Sequence, residues 1–333
     1  MTTYVLGAGA SRHAGYPLTA ELGNRLYEWA RQSDLAWRGY IESLNELYDG
    51  LTDLEQILTE LHERPADSRA ATLSKMQCGN TLGAVEVAIP EFFHGLRQKP
   101  IKGADLYEAL ARRKIRSGDR ILTFNYDLAC ELALRKERMW EIGDGYGFPL
   151  GVGITPPSKV MVSKLHGSTN WLGILFDGNM GFSQASNNVY GPRPCLFGER
   201  DFTYLGYSND VRDPLCKHIS TTGGEPALIL PTLHKNFFHQ TSFGREWAPF
   251  WNHIWSEAAR ALNASERIVI IGYSMPKADE RARELLLKGS NPNAEILVFS
   301  GSRTSAICEE FHDSGFQTVS SPGQGYFEDY LST

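Results

Sequence analysis

The chain has 333 residues, 42% hydrophobic and 22% charged, with a formal net charge of −6. These proportions are those of a globular protein, and the length suits one large domain or a domain carrying an insertion. The acidic balance argues against nucleic-acid binding through a broad basic surface.

Tyr4-Val5-Leu6 reads as a short buried strand that runs straight into Gly7-Ala8-Gly9-Ala10-Ser11. Val5 and Leu6 suit a parallel strand covered on both faces. Gly7 and Gly9 let the backbone turn tightly and approach a ligand with no Cβ in the way. Residues 10–14 then open a helix whose first N–H groups attract phosphate. Gly15-Tyr16-Pro17 stops it. A dinucleotide fingerprint needs a third glycine where Arg12 stands, and no Walker A pattern occurs. Taken alone, the turn reads equally as a plain strand–turn–helix corner.

Thr19 is placed to cap a helix carrying Leu22, Leu26 and Trp29 on one face. Asp34 is placed to cap a second, with Leu44 and Leu47. Thr52-Asp53-Leu54-Glu55 has the spacing of a capping box, and Ile57, Leu58 and Leu61 follow at helical period. The helical pattern continues from Ala84 to Leu96 and from Ala104 to Lys114. One crossover between strands normally needs a single helix. Residues 18–115 therefore read as a helical module inserted after the first strand, with 1–17 and 116–333 forming the domain around it.

The α/β pattern resumes with a strand at Arg120-Ile121-Leu122-Thr123. Phe124-Asn125-Tyr126-Asp127 leads from it into a helix with Leu128, Leu132 and Leu134. Residues 142–158 are rich in Gly and Pro and read as loop. Lys159 to Leu165 is another strand, ending at His166-Gly167-Ser168. Asn170 to Met180 alternates around Asp177-Gly178, a hairpin signal. Residues 183–224 are polar and turn-rich and carry no readable element. A strand from Ala227 to Leu230 stops at Pro231, and Trp247 to Leu262 is helical. Arg267 to Ile271 is the clearest buried strand and runs into Gly272-Tyr273-Ser274-Met275-Pro276. A helix from Ala278 to Lys288 and a strand from Glu295 to Phe299, ending at Ser300-Gly301-Ser302, complete the pattern.

Buried strand, polar or glycine turn, helix: the repeated event predicts an α/β fold with a Rossmann-like, doubly wound parallel sheet. Its strand ends carry Gly7 to Ser11, Asn125 with Asp127, His166, Gly272 to Ser274, and Ser300. Open α/β sheets bind ligands at the carboxyl ends of their strands. The five cysteines, Cys78, Cys130, Cys195, Cys216 and Cys308, are scattered and form no Cys-x-x-Cys pair. That argues against a zinc ribbon or a disulfide framework, so no metal is expected. The first strand starts too near Met1 to leave room for a signal peptide, and no apolar run spans a bilayer. A cytoplasmic protein with no membrane partner is the expectation.

Gly7-Ala8-Gly9-Ala10-Ser11 with Gly15-Tyr16-Pro17, then Thr123-Phe124-Asn125-Tyr126-Asp127, His166-Gly167 and Gly272-Tyr273-Ser274, in this order, resemble the sirtuin family. Sirtuins read Gly-Ala-Gly-x-Ser with Gly-Ile-Pro, Thr-Gln-Asn-x-Asp, His-Gly and Gly-Thr-Ser. The departures are specific. Leu18-Thr19-Ala20 stands where deacetylating members have Asp-Phe-Arg, and the four ribbon cysteines are missing. Phe124 replaces the Gln and Tyr273 the Thr. With Gly-Tyr-Ser-Met-Pro and the helical insertion, the chain resembles the sirtuin-like domains of prokaryotic antiphage defence systems. That resemblance implies an NAD hydrolase rather than a lysine deacylase.

NAD hydrolysis breaks the bond from ribose C1′ to the nicotinamide nitrogen. Nicotinamide leaves neutral, so the site must stabilise an oxocarbenium-like ribose and aim water at C1′. A neutral His near the ribose hydroxyls can take a proton, a role that fits His166. An Asn amide holds a hydroxyl or a water with donor and acceptor ends, a role that fits Asn125. The resemblance implies the same pair and places Asp127 near the nicotinamide carboxamide. A Cβ at position 9 would fill the space a phosphate needs, so Gly7, Gly9 and Ser11 are expected to cradle the pyrophosphate, with Gly272 and Ser274 closing on it, Ala8 and Thr123 also along the NAD, and Ser300 at the adenosine ribose. Plainer readings stand beside these: His166 as a satisfied strand-end imidazole, Asn125 as a turn residue, Asp127 as a helix cap and Asp279 as a first-turn acid. His234 either lines the site or packs.

Two other functions are open. The domain could bind NAD or a related nucleotide without turnover, as a sensor module. Alternatively Ser274 could be the nucleophile of a serine hydrolase, with Asp279 and His312 as partners, although Pro276 replaces the second Gly of the nucleophile elbow. An unregulated NAD hydrolase would kill its host. Regulation is therefore expected in the helical module, in residues 183–224 or in a separate subunit; the resemblance implies a HerA-type ATPase or other sensor subunit as partner, and a homo-oligomer is expected.

Overall fold

Side chains alternate across a strand, so a run in which every residue is buried must be covered on both faces. Val5, Leu6 and the whole run Ile268 to Ile271 meet that condition. The computed structural model describes residues 1–34, 37–101, 103–141, 144–147, 158–173, 225–233 and 248–333, with short strands at 193–194, 197–198 and 203–204. The strands are β1 (Thr2–Leu6), β2 (Arg120–Thr123), β3 (Met161–Lys164), β4 (Gly167–Gly173), β5 (Arg193–Pro194), β6 (Phe197–Gly198), β7 (Thr203–Tyr204), β8 (Glu225–Leu228), β9 (Arg267–Ile271), β10 (Glu295–Phe299) and β11 (Val319–Ser320). Six of them form one parallel sheet in the order β11-β10-β9-β1-β2-β3. This is the Rossmann-like doubly wound sheet expected. From β1 the chain steps outward to β2 and β3, then returns to β1's other side with β9. The switch point lies between β1 and β9, where such sheets open a crevice.

Register places the strand ends level. Leu6 pairs with both Thr123 and Ile271, Thr123 with Lys164, and Ile271 with Phe299. Every residue that follows this row emerges at one edge of the sheet.

The described chain falls into two compact units. One holds Met1–Tyr16, Pro100–Gly167 and Asn252–Thr333, and the other Pro17–Lys99 and Ser168–Trp251. The expected boundary lies at residue 115, with 168–251 in the domain of the sheet. Contacts instead group residues 100–115 with the sheet and 168–251 with the inserted helices.

The second unit contains α1 (Thr19–Ala30), α2 (Arg38–Tyr48), α3 (Leu54–Glu63) and α4 (Lys75–Arg97). Leu22, Leu26, Ile41, Leu58, Val85 and Ile89 form its core. Three caps differ from expectation. The Leu18 N–H donates to Glu21 at the start of α1, so Thr19 is already inside the helix. Trp37, not Asp34, precedes α2. Asp53, not Thr52, caps α3 by accepting the Gln56 N–H. The Leu233 N–H donates to Thr59 Oγ1 at 2.9 Å, which ties the later segment of this unit to α3. β4 pairs antiparallel with β5 and also borders β8. The hairpin tip expected at Asp177-Gly178 lies outside the described residues.

The first unit adds α5 (Leu106–Arg113), α6 (Ala129–Lys136), α7 (Ala248–Ala264, which begins in the second unit), α8 (Glu280–Gly289), α9 (Thr304–Asp313) and α10 (Phe327–Ser332). Asp105 caps α5 by accepting the Tyr107 and Glu108 N–H groups. Burial alone would raise its carboxyl, but hydrogen bonds from His13 and those two amides hold it below the usual range. No helix among the described residues is long and apolar enough to cross a membrane.

A buried ion pair links β3 to α6. Lys164 is 0% exposed and Glu131 1%, and Lys164 Nζ donates to Glu131 Oε1 at 2.7 Å and to the Asp127 carbonyl. Burial pushes the Glu131 carboxyl up, against the pull of Lys164. Removing one partner of such a pair strands the other charge. Lys164→Met should therefore cost about 3–5 kcal/mol of stability. Adding Glu131→Leu should restore much of it. Denaturant unfolding of the single and double variants measures this, and equal losses in both would show that the pair is not coupled.

Candidate active site

The hydrogen-bond ladder runs one residue past the level row. The Gly7 N–H donates to the Ile271 carbonyl (3.0 Å), Phe124 to Leu6 (3.0 Å), Leu165 to Thr123 (2.9 Å) and Gly272 to Phe299 (2.8 Å). Five loops are thus launched side by side from fixed points.

The first loop winds as a 3-10 helix, Ala8–Ala14, and ends at Gly15 with φ 85°. Its donors are partly committed. The Gly9 N–H donates to the Gly272 carbonyl and the Ala10 N–H to the Gly7 carbonyl, both at 2.9 Å. A Cβ built on Gly9 would stand 2.9 Å from Gly272 Cα. Gly272 has φ +63°, and a Cβ there would run into the backbone of Gly9 and Ala10. So the space that Gly9 leaves empty is filled by a neighbouring backbone, where the sequence reading had assigned it to phosphate.

Asn125 is buried at the end of β2. Its Nδ2 donates to the Gly7 carbonyl at 2.9 Å and to Ser11 Oγ at 3.0 Å. The carbonyl can only accept, so the orientation of the amide is decided by the network. Oδ1 has no protein partner among the described residues. Ser11 Oγ also bonds Tyr107 Oη at 2.8 Å. Burial pushes the Tyr107 phenol well up, so it stays neutral. Thr123 Oγ1 accepts the Asn125 N–H. Asp127 is buried, and its Oδ1 accepts the Ala129 N–H at the start of α6.

His166 follows β3 and is 6% exposed. Its Nε2 lies 3.4 Å from Asp279 Oδ2, close enough for an ion pair but not aligned as a hydrogen bond. Asp279 is 2% exposed and also accepts the Tyr273 hydroxyl at 3.0 Å. The Tyr273 ring stacks on Phe124, with centroids 4.2 Å apart and planes at 18°. Phe124 also abuts the His166 ring at 5.0 Å.

Ser300 Oγ donates to the Tyr273 carbonyl at 3.0 Å, while Ser274 is exposed. Buried Met275 takes the left-handed backbone with φ 47°. His312 closes α9, bonded to the Phe316 carbonyl. That is a helix length of about 15 Å from the strand ends. Asp279 faces Tyr273 and His166, so no Ser274–His312–Asp279 relay forms. Among the described residues no three His, Cys, Asp or Glu side chains gather as a metal site. His234 lies outside the described residues.

The sheet edge therefore collects Gly7, Ala8, Gly9, Ser11, Thr123, Asn125, Asp127, His166, Gly272, Ser274 and Ser300. Tyr107 escaped the sequence reading, and Asp279 was read only as a helix acid or a hydrolase partner. One signal was available: Phe124 and Tyr273, two of the departures from the sirtuin pattern, stack on each other.

Among solved structures the chain is similar to Sir2 proteins. A Sir2 homologue bound to NAD shares 14% identity over 99% of this chain and 87% of its own, with a TM-score of 0.43. A Sir2 enzyme studied for mechanism and regulation shares 14% over 99% and 90%, with a TM-score of 0.40. A point mutant of a Sir2 homologue with ADP-ribose shares 12% over 94% and 88%, with a TM-score of 0.41. No family model and no curated protein matches the chain.

Because the Gly9 contact is backbone on backbone, Gly9→Val should force the two loops apart. The expected loss is about 1–3 kcal/mol of stability, as for an overpacked core. Thermal unfolding checks this. An unchanged melting temperature would mean that the loops separate freely.

Proposed function

We propose that this chain is an NAD glycohydrolase, releasing nicotinamide and ADP-ribose. One observation carries the reading: Asn125 and His166 stand two residues beyond the paired Thr123 and Lys164, at the sheet edge that also holds the glycine loop. The locked amide of Asn125 offers Oδ1 as an acceptor for a ribose hydroxyl or the attacking water. His166 takes the proton as water adds to C1′ and the bond to nicotinamide breaks. The ordered sirtuin-like motifs support NAD as the substrate. Antiphage defence, a cytoplasmic site of action, self-association and control by a HerA-type ATPase or other sensor subunit form part of the same proposal and rest on the resemblance.

The sensor-module reading keeps one point in its favour, the loss of the Asp-Phe-Arg segment at Leu18-Thr19-Ala20. It predicts binding without release of nicotinamide. Incubating the pure protein with NAD, alone and with candidate partners, decides between the two. Asn125→Ala and His166→Ala should each lower nicotinamide release by about 100-fold or more while the fold persists. Near-normal turnover in either folded variant would remove that residue from the mechanism.

A further inference from the structure

We infer that Asp279, held by Tyr273, is the positioning residue for His166. This rests on the reading of His166 as the base. A carboxylate as enclosed as Asp279 is costly unless hydrogen-bonded. The Tyr273 hydroxyl donates to it at 3.0 Å, and His166 Nε2 lies 3.4 Å away. Each member is held independently. The Tyr273 ring lies flat on Phe124, and its carbonyl takes the Ser300 hydroxyl. The Asp279 backbone is tied at both ends, its N–H to Pro276 and its carbonyl to the Arg283 N–H. Phe124 closes against the His166 ring from the end of β2.

A carboxylate facing Nε2 favours the tautomer with its proton there, which leaves the imidazole lone pair on Nδ1. The Tyr273 hydroxyl donates into the same oxygen, so Asp279 is steered toward the ring by a group that cannot itself act as a base at neutral pH. Asp279 and Tyr273 thus fix the orientation and tautomer of His166 without touching substrate.

The test combines kinetics with nitrogen-15 spectra of the histidine rings. Wild-type His166 should carry its proton on Nε2 at neutral pH. A proton on Nδ1 would overturn the proposal without need of any variant. An amide at position 279 can present N–H to the ring and favour the opposite tautomer. Asp279→Asn should therefore change the His166 tautomer and lower kcat by about 100-fold or more, with KM nearly unchanged. Tyr273→Phe, which removes only the hydroxyl, should lower kcat by a smaller factor, again at constant KM. Unchanged kcat and tautomer in Asp279→Asn would overturn the inference, and so would full kcat in Tyr273→Phe. If the wild type releases no nicotinamide, the functional proposal fails, but the ring spectra still decide the role of Asp279.

Discussion

Two backbones meet at the switch point of the sheet, and most of the site follows from that meeting. Gly9 and Gly272 approach so closely that neither position has room for a Cβ. The contact fastens the loop after β1 to the loop after β9. The two arms of the candidate site then run outward from it. On one side the Gly7 carbonyl receives the Asn125 amide. On the other, Tyr273 follows Gly272 directly, so its ring and hydroxyl are aimed by the same turn toward Asp279 and His166. Phe124, next to Asn125, bridges the arms by stacking on Tyr273 and abutting His166. Both arms share an origin.

The sheet was readable because its central strands are buried on both faces and written as unbroken apolar runs. The ends of those runs named Asn125 and His166 without help from packing. Helix caps were readable only to within a residue. Thr52 and Asp53 both carry an acceptor oxygen, and nothing local decides between them. The reason for Gly9 was misread because a glycine's lost Cβ can clear space for a ligand or for another chain segment, and the segment that fills it is far away in sequence. Tyr107 and Asp279 were obscure for a related cause. Their partners, Ser11 and His166, are reached only after the sheet has formed.

The aromatic pair changes the medium of the site. Where the sirtuin pattern has Gln and Thr, Phe124 and Tyr273 present one stacked surface beside His166. Water is displaced from that flank and the local dielectric falls. Hydrogen bonds and charges beside the pair act more strongly there than they would in solvent. The Tyr273 hydroxyl keeps a polar tip on an otherwise apolar wall, which is how a buried tyrosine meets its hydrogen-bonding need.

The chain leaves the sheet unit after Tyr16 and returns at Pro100. Just inside that opening, Ser11 bonds Tyr107 and His13 bonds Asp105. The mouth of the insertion is thus buttoned shut by residues of the sheet unit alone. For a flexible loop already joined at its base, each doubling of length costs only about 0.6 kcal/mol. The entry and exit of the 17–99 segment are thereby held together by bonds that lie outside it, so a change of length within the segment need not loosen them.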